Sequence, residues 1–280
     1  MGARAQKVQD TSVEYSMETI GRRVLRVARW RWHEPSEHLP LLFFNGIGAN
    51  IEAVAPLAEV LTDRPFITYD MPGTGGSPDP VVPYNAFMVA WQAKQLLKHF
   101  GCQRVDVMGI SWGGGMAQQF ALQHPRYVRR LVLAATSAGM LMVPGNPLVL
   151  GKMANPRRYV DADYMARNFK TLYGGMVGGK VEHIERLKPP SRRGYLYQLM
   201  AMLGWTSAPA LPFLKKRTLI LMGDSDKVVP LVNGRMLNKL IPNSRLEVLE
   251  GGGHLFVLSH KDRVIELLNE FLTVPVDGED

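Results

Sequence analysis

Short apolar runs alternate along most of the chain with longer segments in which the large apolar side chains recur every three or four positions. The first pattern indicates buried strands, and the second indicates helices with one apolar face. The apolar runs lie at residues 41–44, 65–69, 105–108, 131–135, 217–222 and 245–249. Because strands and helices alternate in this way, the sequence predicts a mostly parallel central sheet with helices on both faces, an α/β architecture.

A β-hairpin is predicted ahead of this region. Residues 13–20 and 23–30 have the composition of two strands, with Gly21 in the short connection between them. Because the connection is too short for a crossover, the two strands are predicted to pair with each other.

Residues 139–212 interrupt the alternation and differ in composition. They hold ten basic against four acidic side chains, a net +6 of the chain's +8, and seven of its fifteen methionines. We predict a helical lid inserted between two parts of the core, residues 1–138 and 213–280. Its methionines would offer adaptable apolar contacts to a greasy substrate, and the glycine pairs at 174–175 and 178–179 would act as joints. The alternative is an ordinary helical insertion whose methionines fill its own small core.

The composition is typical of a globular enzyme. Of 280 residues, 46% are hydrophobic and 21% are charged, which supplies enough apolar material for one main core. Cys102 is the single cysteine, so an intramolecular disulfide is excluded and a reducing cytoplasm is expected. We interpret this thiol as a packed small side chain. Neither a leader-like segment nor a run near ~18 apolar residues is found, so we expect an intracellular protein without a membrane span.

The formal net charge of +8 would attract an anionic partner such as nucleic acid or a phospholipid surface. However, no motif that reads DNA or RNA accompanies this charge, so we predict no nucleic-acid partner. The histidines and the one cysteine lack the spacing of metal ligands, so we also predict no metal and no cofactor. The charge is interpreted as an influence on where the protein resides.

Residues 104–123, RVDVMGISWGGGMAQQFALQ, place a G-x-S-x-G motif between a predicted strand and a predicted helix. Gly109 and Gly113 let the backbone pass through a tight corner, which pushes the side chain of Ser111 outward. The motif also occurs by chance in many proteins, but the preceding strand and the following helix are the context that it requires. Ser111 is therefore the predicted nucleophile.

The glycine-rich turn after the first of these buried strands allows two hypotheses. A dinucleotide-binding fingerprint requires a third glycine, and Ile51 occupies that place after Gly46 and Gly48. Alternatively, the backbone N–H groups of Ile47 and Trp112 point at one spot in front of the serine and form an oxyanion hole. Because the nucleophile motif lies downstream, we favour the oxyanion hole.

Two further loops offer partners for the serine. The strand at 217–222 is followed by Asp224 and Asp226, and a glycine-rich loop after the last strand holds His254. Serine, acid and histidine in this order along the chain are what the nucleophile elbow requires, so we predict a catalytic triad. Asp70, at the end of another strand, is predicted to brace its own loop.

These features resemble the α/β-hydrolase superfamily from Leu41 to Leu272. More specifically, six segments resemble the intracellular medium-chain-length polyhydroxyalkanoate depolymerases: FNGIGAN at 44–50, residues 109–121, LVLAATSAGMLMVPGNP at 131–147, PRRYV at 156–160, GWTS at 204–207 and GHLF at 253–256. The acid of that family lies three residues after the glycine that ends its strand, which selects Asp226 over Asp224. The first dozen residues match nothing in the family.

The resemblance implies an α/β-hydrolase fold and a serine esterase that hydrolyses polyesters of 3-hydroxy fatty acids on intracellular storage granules. Ser111 would attack the ester carbonyl while His254 takes its proton and Asp226 orients the imidazole. Four lid residues are predicted, from composition alone, to contact the alkyl side chains of the polymer: Leu196, Leu199, Met202 and Trp205.

Two other classes of function stay open at this point. The same triad would serve a small-ester carboxylesterase, a thioesterase or a carbon–carbon bond hydrolase. A protein without catalysis, which binds a granule or membrane surface through its basic lid, is the third hypothesis. The sequence sets neither the chain length of the substrate nor the oligomeric state.

Overall fold

One sheet of eight strands organises the chain. The computed structural model describes residues 13–155, 157, 162–173, 186 and 188–273. The strands are β1 Val13–Ile20, β2 Arg23–Trp30, β3 Leu41–Phe44, β4 Phe66–Tyr69, β5 Val105–Ile110, β6 Val128–Ala134, β7 Arg217–Gly223 and β8 Ser244–Leu249. Their order across the sheet is β1-β2-β4-β3-β5-β6-β7-β8. Strand β2 is antiparallel to β1 and β4, and the other neighbouring pairs are parallel. The predicted mostly parallel sheet with an N-terminal hairpin is confirmed.

Helices follow the strands as the apolar spacing predicts. The α-helices in the described residues are α1 Ile51–Val60, α2 Ala86–His99, α3 Trp112–Gln123, α4 Pro147–Ala154, α5 Ala162–Tyr173, α6 Arg192–Met202, α7 Leu231–Leu240, α8 Phe256–Ser259 and α9 Lys261–Thr273. Local signals set their ends; the side chain of Asn85, for example, accepts a hydrogen bond from the Met88 N–H (3.0 Å) and caps α2. The sequence pattern did not predict α8, which is a single turn.

Alternate strand residues feed two cores on opposite faces of the sheet. Val107 of β5 and Leu133 of β6 face the core that is covered by α2, α3 and α7. Their neighbours Met108 and Val132 face the core that is covered by α1 and α9. Since successive side chains of a strand point to opposite faces, strands buried on both faces read as continuous apolar runs.

The carboxyl ends of the parallel strands meet at one edge of the sheet. Because β5 lies between β3 and β6, and β7 lies between β6 and β8, the loops that follow these strands are neighbours at this edge. Ligand and catalytic sites of open α/β sheets form there. The loops that carry the predicted nucleophile, acid and histidine all start at this edge.

The segment 139–212 contributes α4, α5 and α6 to the described structure. Its predicted role as a separate lid, with core parts 1–138 and 213–280, stays a prediction. The proposed glycine joints lie outside the described residues. Within the described part of the chain, no helix combines the length and the apolar character needed to cross a bilayer.

Cys102 lies in the turn between α2 and β5 and is partly buried. Burial raises the pKa of its thiol to about 11, because a thiolate is less well solvated there than in water. The thiol therefore stays protonated at neutral pH, which agrees with the interpretation of Cys102 as a packing residue.

Candidate active site

Ser111 occupies a strained turn between β5 and α3. Its φ of 55° and ψ of −121° lie in a region of backbone conformation that residues other than glycine rarely adopt. Two hydrogen bonds hold the turn: the Ser111 N–H donates to the Ala134 carbonyl (2.9 Å), and the Thr136 hydroxyl donates to the Ser111 carbonyl (2.7 Å). The surrounding sheet therefore fixes the strained backbone and presents the serine hydroxyl at the sheet edge.

The two glycines of the motif are required by close packing. A Cβ on Gly109, in β5, would overlap the backbone of Gly113, in the first turn of α3. A Cβ on Gly113 would overlap the carbonyl of Phe44, at the end of β3. The first turn of α3 thus lies directly against the neighbouring strand, and this contact sets the position of Ser111 next to the turn that follows β3.

The structure brings Ser111, His254 and Asp226 into one hydrogen-bonded chain. The imidazole Nε2 lies 3.0 Å from the Ser111 Oγ, and Nδ1 lies 2.8 Å from the Asp226 Oδ2. When the imidazole is neutral and its Nδ1–H donates to the carboxylate, Nε2 is the nitrogen that accepts from the serine hydroxyl. The acid and the histidine are buried, with 5% and 4% exposed surface, which shields their interaction from water. These are the distances that a nucleophile, a base and an orienting carboxylate require.

The loop after β7, here called the acid loop, holds both Asp224 and Asp226 and gives the two carboxylates different hydrogen-bond partners. The N–H groups of Val228 and Val229 donate to Asp226 Oδ1 at 2.8 and 2.9 Å, which leaves Oδ2 for the imidazole. Asp224 is exposed and instead accepts a hydrogen bond from the Gly251 N–H (2.8 Å). Asp226 is therefore the carboxylate beside the histidine, and its role as the catalytic acid stays a prediction.

The two residues of the proposed oxyanion hole both lie next to the serine. Phe44 of β3 pairs with Gly109 of β5, so the turn that holds Ile47 begins beside the turn that holds Ser111. Ile47 lines a cavity together with Ser111. Trp112 is the first residue of α3, and the N–H of such a residue has no acceptor within its own helix. This geometry is consistent with an oxyanion hole, whose catalytic role stays a proposal.

Asp70 stabilises the backbone around the turn that holds Ile47. Its carboxylate accepts hydrogen bonds from the N–H groups of Ile51 (2.7 Å) and Gly76 (2.8 Å) and lies 3.3 Å from the Arg26 guanidinium. The first of these bonds fixes the start of α1, directly after the turn that contains Ile47. As the sequence predicts, Asp70 braces backbone, although it reaches across to α1 as well as to its own loop.

An apolar cavity of about 100 Å³ opens beside Ser111. Its walls come from one face of α1 (Ala53, Val54 and Leu57) and from the segment of α8 around Leu258. An engineered apolar cavity of ~150 Å³ holds a benzene molecule, so this space suits a short alkyl chain. This cavity was not predicted from the sequence. A signal for it exists in the spacing of Ala53 and Leu57, which places them on one face of a helix next to the proposed oxyanion turn.

None of the four predicted lid contacts lines this cavity, and their role in binding substrate stays a prediction. Leu196 and Leu199 are 52% and 48% exposed on α6. Trp205 is only 7% exposed; its indole N–H donates to Gln119 Oε1 (2.8 Å). Met202 and Trp205 pack over Gly115 of α3, which has no side chain to keep them away. They fill the junction between α6 and α3.

From the segment 139–212, Met153 of α4 lines the cavity. One methionine of the segment predicted to form a lid thus borders the cavity beside Ser111. The remaining lining comes from the helices α1 and α8, from the ends of the strands β3 and β5, and from the turns around Ser111, Ile47 and His254. Specificity for an apolar group would therefore depend mainly on the core.

The site combines a serine on a strained turn, an imidazole and a buried carboxylate at the carboxyl edge of an open α/β sheet. This arrangement is typical of serine hydrolases with a nucleophile elbow. The chain matches the model of the alpha/beta hydrolase family over residues 41–267. Since that match covers most of the chain, the protein belongs to the alpha/beta hydrolase family.

Individual proteins of known function or structure are also similar to this chain. The poly(3-hydroxyalkanoate) depolymerase of Ectopseudomonas oleovorans is 43% identical over 83% of this chain and 84% of its own length. The 2-hydroxymuconate semialdehyde hydrolase of Pseudomonas putida is 29% identical over 90% of this chain and 94% of its own length. The structure of an esterase from Exiguobacterium antarcticum superposes with a TM-score of 0.79, at 21% identity, over 93% of this chain and 99% of that one. The last likeness shows the fold alone.

Proposed function

We propose that this protein is a serine ester hydrolase that cleaves medium-chain-length poly(3-hydroxyalkanoate) to 3-hydroxy fatty acids or their oligomers. The hydrogen-bonded chain from Ser111 through His254 to Asp226 carries the proposal. The 43% identity to a poly(3-hydroxyalkanoate) depolymerase supports the choice of polymer, and the apolar cavity beside the serine supports a substrate with alkyl groups.

The first half of the reaction transfers the acyl group to the enzyme. His254 Nε2 accepts the hydroxyl proton of Ser111 as Oγ attacks the ester carbonyl. The carbonyl oxygen gains a negative charge, which the N–H groups of Ile47 and Trp112 stabilise. One such donor contributes about a hundredfold to the rate. The imidazolium then gives its proton to the alkoxide of the departing chain, and the acyl-enzyme is left.

The second half repeats these steps with water. His254 accepts a proton from water as the water oxygen attacks the acyl-enzyme carbonyl, and the same two N–H groups hold the new oxyanion. When the tetrahedral intermediate collapses, the proton returns to the Ser111 Oγ and a free carboxylic acid leaves. Asp226 stays ionised throughout and stabilises the imidazolium in both halves.

The cavity beside Ser111 would bind the alkyl side chain of the acyl unit. Replacing Ala53 by Phe fills this cavity from α1, so we expect a preference for shorter chains. Each buried CH₂ contributes about 0.8 kcal/mol, so excluding two of them should lower kcat/KM about tenfold. The measurement compares p-nitrophenyl octanoate with p-nitrophenyl acetate, for which Ala53→Phe should stay within about twofold of the wild type.

Glu59→Phe is the matched control, because it adds the same ring at an exposed position of the same helix. It should leave the ratio of octanoate to acetate hydrolysis unchanged. If Ala53→Phe leaves that ratio unchanged as well, the alkyl chain binds elsewhere and this assignment of the cavity is wrong.

The protein would act in the cytoplasm at the surface of storage granules. The segment 139–212 has a net charge of +6, and several of its apolar side chains, including Met140, Leu148 and Leu203, are exposed. A surface that combines basic and apolar groups favours adsorption to a hydrophobic particle with an anionic coat. Co-sedimentation with isolated granules at low and high salt would test this.

Substrate choice is tested by a panel that includes alternative reactions. Purified protein is incubated with latex of medium-side-chain polymer, latex of short-side-chain polymer, soluble p-nitrophenyl esters and acyl thioesters. A further sample contains 2-hydroxymuconate semialdehyde, which tests for hydrolysis of a carbon–carbon bond. Products are identified by mass spectrometry. We expect 3-hydroxy acids or oligomers from the medium-side-chain latex at the highest rate. Cleavage of soluble esters, thioesters or the carbon–carbon substrate without polymer turnover would refute the polymer assignment and retain the serine hydrolase.

A further inference from the structure

One residue of α6, Gln198, contacts both sides of the proposed oxyanion hole. Its side-chain Oε1 accepts a hydrogen bond from the Gly48 N–H (2.8 Å), in the turn that holds Ile47. Its backbone carbonyl accepts a hydrogen bond from the indole N–H of Trp112 (2.9 Å). Gln198 is 1% exposed, so water does not compete for these bonds.

The orientation of the Gln198 amide follows from its partners. A backbone N–H can only donate, so the oxygen of the amide must face Gly48. The Nε2 group then donates to the hydroxyl oxygen of Thr74 at 2.6 Å. Each end of the amide has a partner, and the side chain is locked between α6 and two loops of the core.

From these contacts we propose that Gln198 is a positioning residue that sets the geometry of both oxyanion donors. The bond to the Gly48 N–H fixes the peptide plane next to Ile47, and the bond to the indole fixes the side chain of Trp112. The inference rests on the proposed function, because it concerns the oxyanion of the same hydrolytic reaction. Its consequence is that the oxyanion hole is complete only when α6 is docked on the core.

The chain leading into α6 is attached to the same turn. The amide of Asn50, which ends the turn, donates to the Arg186 carbonyl (3.0 Å) and accepts from the Lys188 N–H (3.2 Å). The Ser191 N–H, at the start of α6, donates to the Gly73 carbonyl (2.8 Å). Displacing α6 would therefore disturb the turn after β3 at Gly48 and at Asn50, and it would also break the contact with the loop at Gly73. The position of α6 is in this way coupled to catalysis.

The test replaces Gln198 by Met, which has a similar length and keeps the packing but offers no strong acceptor to the Gly48 N–H. A group that acts only on the transition state lowers kcat and kcat/KM equally, and a small displacement of a donor can cost up to about a hundredfold. We expect kcat for p-nitrophenyl acetate to fall at least about tenfold, with KM within about threefold of the wild type. The rate at which a fluorophosphonate labels Ser111 should fall in parallel, because its phosphoryl oxygen occupies the same hole.

Gln119→Met is the matched control. Gln119 is also a buried glutamine that bonds to the lid segment, through the Trp205 indole N–H (2.8 Å), but it does not contact the turn that holds Ile47. It should lower the thermal midpoint about as much as Gln198→Met does, yet keep kcat within about twofold. Equal losses of kcat in the two variants would mean that loosening the lid is sufficient, and the positioning role would be rejected.

A second variant removes the other bond. Trp112→Phe keeps the backbone N–H but loses the indole donor to the Gln198 carbonyl, so kcat should again fall with little change in KM. Because both bonds act through α6, the losses in the double variant should be less than additive. Wild-type kcat in Gln198→Met would overturn the proposal. That result differs from an active Ser111→Ala variant, which would instead overturn the proposed function.

Discussion

Replacing Ser111 by Ala should lower kcat for every ester substrate by roughly 10⁶-fold, the loss seen when the nucleophile of a serine hydrolase is removed. The substitution removes one oxygen atom, the one that lies 3.0 Å from the histidine Nε2, and no other described group replaces it there. The measurement is the hydrolysis of p-nitrophenyl esters and of polymer latex by the purified variant. The variant should also lose labelling by fluorophosphonates, which mass spectrometry detects on the wild type.

Ser225→Ala is a suitable control for this experiment. Its hydroxyl, in the acid loop, bonds to Asp224 (3.0 Å) and takes no part in the hydrogen-bonded chain. This variant should hydrolyse esters at the wild-type rate, and circular dichroism should show that both variants are folded. Release of 3-hydroxy acids by Ser111→Ala at a rate near that of the wild type would rule out a serine mechanism.

Asp226→Asn should have the second largest effect, a loss of roughly 10⁴-fold in kcat. The carboxylate accepts a hydrogen bond from His254 Nδ1–H, which leaves Nε2 to accept from the serine. An amide at this position can donate to Nδ1, which favours the tautomer with the proton on Nε2. That tautomer cannot take the proton of Ser111, although the packing of the side chain is almost unchanged.

Asp224→Asn provides the comparison, since the two carboxylates lie on the same loop two residues apart. Asp224 is exposed and bonds to the Gly251 N–H and not to the histidine, so its loss should change kcat by less than about threefold. Both variants are measured with the same ester over a range of pH. A larger loss from Asp224→Asn than from Asp226→Asn would show that the acid has been assigned to the wrong residue.

The fold could be predicted because its signals are local. Strands buried on both faces give continuous apolar runs, as in Leu41–Phe44 and Val105–Ile110, and the helices between them keep a regular spacing. The one-turn helix Phe256–Ser259 was missed, since four residues are too few for a periodic pattern. The order of strands across the sheet depends on pairings between distant segments, which the local pattern does not contain.

The position of the nucleophile could also be predicted from a local motif, because the strained turn at Ser111 requires glycines at fixed places. The choice between Asp224 and Asp226 was harder, since both are acidic residues in the same loop. In the structure, the N–H groups of Val228 and Val229 hold the Asp226 carboxylate so that it faces the histidine. Residue type alone could not separate the two, and resemblance to a family supplied the answer.

The directions of the side chains in the segment 139–212 could not be predicted, because composition carries no direction. Trp205 is a large apolar side chain in a segment rich in methionine, but it turns toward α3, where Gly115 leaves room for it. The role proposed for Gln198 had no signal at all in the sequence. Gln198 is a polar residue within a helix, and its partner Gly48 lies 150 positions away, so only the three-dimensional structure reveals the contact.

Three consecutive glycines, Gly113 to Gly115, form the first turn of α3 after Trp112. Each disfavours an isolated helix by about 1 kcal/mol relative to alanine, so this turn is unstable by itself. Its shape is imposed by neighbours that arrive from elsewhere in the chain: the end of β3, Thr136 after β6, and Trp205. During refolding, therefore, we expect the recovery of activity to lag behind the formation of the sheet, because the catalytic corner takes its shape only when these neighbours are in place.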